Sequence, residues 1–293
     1  MINTGKKYFQ FLGLLLKHGR FGHSGENFNQ SREESLKELL NFIPPSCAIA
    51  LSGGTTSLAW KNAIARNLVA QLAFLKNSLK TKGDHLTSKD LSYIRIPKSA
   101  STSMSKEMLE KIYPALKQKA ITENQINFLT DVNLQPALED SVNLFTIVRN
   151  PFSRLVSVYR DFFEKKNNFI YRDYLFGVLH QHISFSEFVD RITCIPDQLK
   201  DQHIRPQHTF LKYYEKQNLD VKIFKLEHSE QLNQFLSQYD MKLPHLNKSA
   251  ERYDFRSYYD AYTLNKVYTL YQVDIEKFDY RQEYKTVADY LSE

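Results

Sequence analysis

The residues whose types and spacing suit chemistry lie in two short stretches and a few histidines. In IPKSASTSM (96–104), Lys98 precedes the hydroxyls of Ser99, Ser101, Thr102 and Ser103, interrupted only by Ala100. In FTIVRNPFSRLVSVY (145–159), Arg149 precedes Asn150 and Pro151, and Ser157 falls seven residues after Asn150. A lysine with clustered hydroxyls at a helix start suits an anion. The ammonium, the hydroxyls, the backbone N–H groups and the helix dipole can surround one phosphate. The same cluster also suits a plain N-cap with a solvated first turn, so the loop alone leaves both readings open. Arg149 and Ser157, two helical turns apart on nearly one face, can reach a second anion together. An arginine at a helix start is otherwise an ordinary surface residue.

Two anion sites about one strand–helix unit apart describe a nucleotide with phosphates at both ends of its ribose. The loop is unlike that of a nucleotide triphosphatase. There, a lysine ends a glycine-rich loop beside a hydroxyl that holds magnesium. Here the lysine comes first and the loop has no glycine, which suits a phosphate without a metal. A second glycine-bearing stretch, LSGGTTSLAW (51–60), lacks a preceding lysine and reads as a structural turn and helix cap.

These stretches need rigid elements behind them. LSYIRI (91–96), NLFTIV (143–148) and VKIFKLE (221–227) are short β-branched or aromatic runs, each followed by a helical pattern. Strand, tight loop and helix in repetition predict an α/β fold, a central parallel sheet flanked by helices with a phosphate-binding strand–loop–helix. Residues 1–90 read as a mostly helical extension packed on a core domain of 91–293, with KTKGDHLTSKD (80–90) as a polar connection. CAIALS (47–52) is the one strand-like run before residue 90. The last forty residues read as a tyrosine-rich helical tail. Its series Tyr258, Tyr259, Tyr262, Tyr268 and Tyr271 reads as a packing face with wet hydroxyls rather than a stacking surface.

Composition narrows the class. The 293 residues suffice for a full core, and 39 Lys plus Arg against 33 Asp plus Glu give a net charge of +6. That excess suits an anionic ligand without choosing one. Cys47 and Cys194 are the only cysteines, too few for a disulfide framework or a cysteine-based zinc site. The apolar run in KKYFQFLGLLLKHGR (6–20) is too short to span a bilayer and reads as an amphipathic helix start. A cytoplasmic protein without a membrane span is expected.

IPKSASTSM resembles the 5′-phosphosulfate loop of the sulfotransferases that use 3′-phosphoadenosine 5′-phosphosulfate (PAPS), and looks most like the heparan sulfate 2-O-sulfotransferase branch. FTIVRNPFSRLVSVY resembles the 3′-phosphate motif of the membrane-type carbohydrate sulfotransferases. DQHIRPQHTFL (201–211) and LPHLNKSAERYDFRSYYD (243–260) resemble two later blocks, so the resemblance runs from about residue 91 to 280. It implies that Lys98 contacts the 5′-phosphate and the bridging oxygen, with Ser99, Ala100, Ser101, Thr102 and Ser103 wrapping that phosphate. It implies Arg149 and Ser157 at the 3′-phosphate, with Lys248 and Ser249 in a segment that closes over the nucleotide. Ala100 stands where many family loops have glycine. The 2-O branch has its catalytic histidine between the two motifs, and residues 105–144 here contain none.

Sulfuryl transfer needs an in-line acceptor, a base for its proton, and positive charge on the leaving phosphate. Lys98 fits the last role with no metal. His203 in DQHIRPQ is the expected base, with His180 and His182 of VLHQHISF as runners-up on an acceptor-facing loop. Glu107 and Glu164 are carboxylate options, and Arg205 is placed to orient the acceptor. The expected activity is transfer from PAPS to a hydroxyl or amine of a small molecule or carbohydrate, leaving 3′,5′-ADP. The rival readings are a P-loop-type kinase and a basic nucleic-acid-binding module. Dispersed basic residues count against the module.

Overall fold

The computed structural model describes Gln10 and residues 85–134, 143–164, 179–180, 183–197, 200–244 and 253–293. The early helices, the strand-like run at 47–52, the turn at 51–60, Cys47, His182, Lys248 and Ser249 lie outside the described residues.

Among the described residues four strands form the sheet, in the order β1 (His85–Ser88), β2 (Leu91–Ile94), β3 (Asn143–Val148) and β5 (Val221–Lys225). The two-residue strand Leu179–His180 is β4. β2, β3 and β5 run parallel, with Ile94 opposite Thr146 and Val148 opposite Lys225. β1 is antiparallel to β2, with His85 opposite Ile94. The sequence reading took residues 80–90 as a polar connection. Instead HLTS forms an edge strand, joined to β2 across Lys89 and Asp90 with Lys89 at φ 47°. His85 and Leu86 are both fully buried, and one apolar residue in a charged stretch gives no alternating pattern to read as a strand.

The side chains of β3 alternate and so divide the interior. Phe145 and Ile147 join Met104, Met108, Leu232 and Phe235 on one face, while Leu144 and Val148 join Phe152, Leu155 and Val156 on the other. Met104 and Met108 come from α1 (Ser101–Ile112), and Leu232 and Phe235 from α6 (Ser229–Ser237). The opposite layer contains α3 (Pro151–Tyr159) and α4 (Phe185–Cys194). It also contains α7 (Ala261–Leu270), α8 (Gln272–Lys277) and α9 (Arg281–Tyr290). This is an α/β fold with helices on both faces of a mostly parallel sheet. In such a sheet, loops at the carboxyl ends of parallel strands form the ligand-facing edge.

The tyrosine-rich segment is part of the core rather than a tail. Tyr259, Tyr271 and Tyr280 are buried. The hydroxyl of Tyr259 donates to the Phe152 carbonyl at 3.0 Å, and that of Tyr271 to the Ile204 carbonyl at 2.8 Å. Burial raises the Tyr271 pKa well beyond its ordinary value, so the group stays a donor. The Tyr259 and Tyr271 hydroxyls are thus inside rather than wet, while Tyr262 is exposed and its hydroxyl donates to Asp190 at 3.1 Å.

Among the described residues no helix is long and apolar enough to cross a membrane.

Candidate active site

The first loop leaves β2 through Arg95, Ile96 and Pro97, and α1 begins at Ser101. Lys98 and Ala100 both have left-handed backbone, at φ 68° and 57°. Such residues bend a chain so that successive N–H groups face one concavity. A glycine would take these angles without strain, and alanine tolerates αL at a cost. Ala100 occupies the N-cap of α1 and cannot cap with its side chain. No acidic residue occupies the first turn. The positive end of α1 is thus left without a side-chain acceptor at its cap. Ser99, Ser101 and Ser103 are buried in the loop, while Thr102 donates to Glu123 at 3.3 Å.

The second loop is built differently. Asn150 caps α3, accepting from the N–H groups of Phe152 at 2.9 Å and Ser153 at 3.5 Å, with Pro151 at the first helical position. The Asn150 N–H donates to Glu227 at 2.8 Å, and Glu227 also accepts from Tyr280 at 2.9 Å. Arg149 carries the charge at this end. Its Nε donates to the Ser153 hydroxyl at 3.0 Å, and its Nη1 to the Lys98 carbonyl at 3.2 Å. Ser157, half-buried, lies one turn beyond Ser153 on the same face of α3.

Past Tyr159 the helix widens into a π turn, Arg160–Glu164. Such turns shift the side-chain register of a helix and recur at functional sites. Here the register brings Asp161 into an ion pair with Lys98. The next residue, Phe162, receives Lys98 Nζ at 4.8 Å from its ring centroid. Against the same ring, the His203 imidazole packs edge-on with centroids 4.8 Å apart. Phe162 thereby gathers Lys98 and His203, 105 positions apart in sequence, into one cluster.

His203 is held by Asp201. The carboxylate accepts from the His203 backbone N–H at 2.9 Å and meets Nδ1 at 2.5 Å. Burial lowers the His203 pKa, with the Lys98 and Arg95 charges adding to that and Asp201 opposing. The ring is neutral at pH 7, and the Asp201 contact fixes Nδ1 as the protonated nitrogen. For Asp201 burial works upward, yet its contacts with His203 and the Arg205 charge hold its carboxyl below the ordinary range. Burial also lowers the Lys98 pKa, against the pull of Asp161. The result is a neutral imidazole oriented by a carboxylate, beside a lysine in a half-enclosed space.

Arg154 and Gln207 tie these parts together. Arg154 is 1% exposed and donates only to carbonyls: Pro97 at 2.9 Å, Arg205 at 3.0 Å and Gln202 at 3.1 Å. It joins the first loop to the segment that carries His203. Tyr271 holds Ile204 of that segment from the other side.

Among the remaining candidates, Arg205 donates to the Lys200 carbonyl at 3.1 Å and lies 5.8 Å from the Phe210 ring. His180 falls in β4. Glu164 bonds Arg160 and Tyr258, and Glu107 meets the Lys242 backbone, so neither joins the Lys98 cluster. Sequence reasoning missed Asp161, Asp201, Ser153, Arg154 and Gln207. Of these, Asp201 had a local signal, a carboxylate two residues before the histidine.

A strand–loop–helix that carries Lys98, a second helix start that carries Arg149 and a histidine oriented by Asp201 form an arrangement that suits group transfer on an α/β fold. The profile of the sulfotransferase family matches residues 86–281, and the chain belongs to that family, whose members are enzymes that transfer sulfate. No curated protein and no solved structure matches the chain significantly. The family decides between the two enzyme classes that the first loop allowed, against the kinase. Among the described residues no group of three His, Cys, Asp or Glu side chains is placed to hold a metal ion.

Proposed function

We propose that the protein transfers a sulfuryl group from PAPS to a hydroxyl or amine of a small molecule or carbohydrate. The observation that carries this reading is the clustering of Lys98 and His203 on the Phe162 ring, beside a helix N-terminus that has no side-chain cap. The α1 amides, Lys98 and the hydroxyls of Ser101 and Ser103 take the 5′-phosphate, with Ser99, Ala100 and Thr102 wrapping it through their backbone while the Ser99 and Thr102 hydroxyls donate to Gln207 and Glu123. Arg149 and Ser157 take the 3′-phosphate, and Lys248 and Ser249 belong to a segment that covers the nucleotide. His180, His182 and Arg205 remain assigned to the acceptor side. The catalytic domain of this reading is the expected 91–293 extended back to β1 at His85, with the residues before it as an extension, in a cytoplasmic enzyme.

Chemically, the acceptor oxygen or nitrogen forms a bond to sulfur as the bond from sulfur to the bridging phosphate oxygen breaks. His203 Nε2 takes the acceptor proton while Nδ1–H stays on Asp201, which stabilises the imidazolium that results. The Lys98 ammonium meets the negative charge that grows on the bridging oxygen. Asp161 keeps that lysine charged against the cost of burial.

Calorimetric titration with 3′,5′-ADP in EDTA tests the donor site. Binding that 5′-AMP fails to match, and that Arg149→Ala weakens, is expected. Equal affinity for the two nucleotides would refute PAPS as donor. Sulfate transfer to an acceptor panel, lost in His203→Ala, then tests the base.

A further inference from the structure

The Gln207 side chain lies between the two anion loops and is fully buried, 0% exposed. Its Oε1 accepts from the Ser99 hydroxyl at 3.1 Å and from the Arg149 N–H at 2.9 Å. Its Nε2 donates to the Arg149 carbonyl at 2.8 Å. Both polar groups of the Arg149 peptide are therefore clamped by one carboxamide, which also holds the first loop. The clamp is anchored in turn. Asp274 of α8, itself buried, accepts from the Gln207 N–H at 2.6 Å and from the His208 N–H at 2.8 Å. The His208 ring meets Asp274 at 2.7 Å.

We infer that Gln207 is a positioning residue that makes the two anion loops read their ligand as one object, a nucleotide bearing phosphates at a fixed separation. It touches neither phosphate in this reading, which rests on the PAPS-site proposal above. The Arg149 guanidinium can present its charge at a constant distance from the α1 N-terminus only if its peptide is fixed to the first loop. The Lys98 carbonyl bond from Arg149 gives one link, but that link uses the guanidinium itself. Gln207 supplies the link that leaves the side chain to its anion. Glutamate in this place keeps the shape but sets a carboxylate oxygen against the Arg149 carbonyl, losing one hydrogen bond and adding repulsion. Methionine keeps the volume and loses all three bonds.

The test is the ratio of 3′,5′-ADP to 5′-AMP affinity for the full chain and for Gln207→Glu and Gln207→Met, with melting curves alongside. The expected result is a ratio reduced roughly tenfold or more in both variants, mostly through weaker 3′,5′-ADP binding, with 5′-AMP binding kept within about threefold. Retained 5′-AMP binding also certifies that a variant is folded. A residue that served stability alone would lower the melting point and leave the ratio unchanged, and that result overturns the inference. Should Gln207→Met fail to fold, Gln207→Glu decides. If the wild-type chain itself does not prefer 3′,5′-ADP, the donor reading fails and the coupling falls with it. If the wild type prefers it and the variants do too, only the role of Gln207 fails.

Discussion

The two loops of the site start their helices in opposite ways. At α1 the N-cap is Ala100, with no side chain to offer, and the helix opens onto a loop bent by two left-handed residues. At α3 the N-cap is Asn150, which accepts from two backbone N–H groups and closes the helix end upon itself. In the proposed reading the first loop offers a ligand mainly main chain besides Lys98, and the second mainly the Arg149 side chain. Main-chain donors are fixed by the fold and survive most substitutions, whereas a guanidinium depends on what orients it. That explains why the second loop is so heavily buttressed: Ser153 and the Lys98 carbonyl hold the Arg149 side chain, and Gln207 holds its peptide.

Replacing the charged residue of each loop gives the largest expected effects and should give different ones. On the proposed mechanism Lys98→Ala removes the cation at the leaving oxygen while the α1 amides remain. kcat should fall on the order of 10²–10³-fold, with less than tenfold change in 3′,5′-ADP affinity. Steady-state kinetics with a titration settles this, and a kcat within tenfold of wild type would remove Lys98 from the chemistry. Arg149→Ala acts on binding instead. The affinity for 3′,5′-ADP should drop by roughly 10–100-fold while that for 5′-AMP hardly moves. Equal losses for both nucleotides would break the division of labour between the loops.

A pH profile sharpens the same picture. In the proposed mechanism His203 acts unprotonated, and burial lowers its pKa from the ordinary 6.5, so the acidic fall in kcat/KM should begin below that pH. An acidic limb centred above 6.5 would mean that another group, or a charged His203, controls the rate. Smallest of all should be Thr102→Ala. Its hydroxyl already donates to Glu123 and the backbone N–H is untouched, so nucleotide affinity should change by less than about threefold. A loss as large as that of Arg149→Ala would show that the first loop also works through its side chains.

How much of this was legible beforehand follows from sequence separation. Lys98, Ser99 and Ser101 are neighbours, and Arg149 and Ser157 share a helix, so spacing alone exposes them. The strands that carry them are apolar runs of four to six residues, and three were read correctly. His85–Ser88 was not, since a polar edge strand offers one buried leucine and a turn. The residues that assemble the site belong to no local pattern. Gln207 meets Ser99 across 108 positions and Arg149 across 58. Arg154 sits among Phe152, Leu155 and Val156, where the whole first turn and a half of α3 is buried, so its charge faces inward against any surface expectation. A charged residue inside an otherwise apolar helix with proline at its start was the one trace it left.

The bonds of Arg154 have a consequence for how the protein comes into being. They close segments 57, 51 and 48 positions apart, and the Gln207 backbone waits on Asp274, a further 67 positions along. Long closures of this kind form late, after the hairpin and local helices. During synthesis both loops leave the ribosome well before the residues that fix them, so a nascent chain has the binding motifs without a binding site until α8 has emerged. Refolding should show the same order, with nucleotide binding returning in the slowest phase. Its return together with the earliest helical signal would mean that the loops organise without their distant clamps.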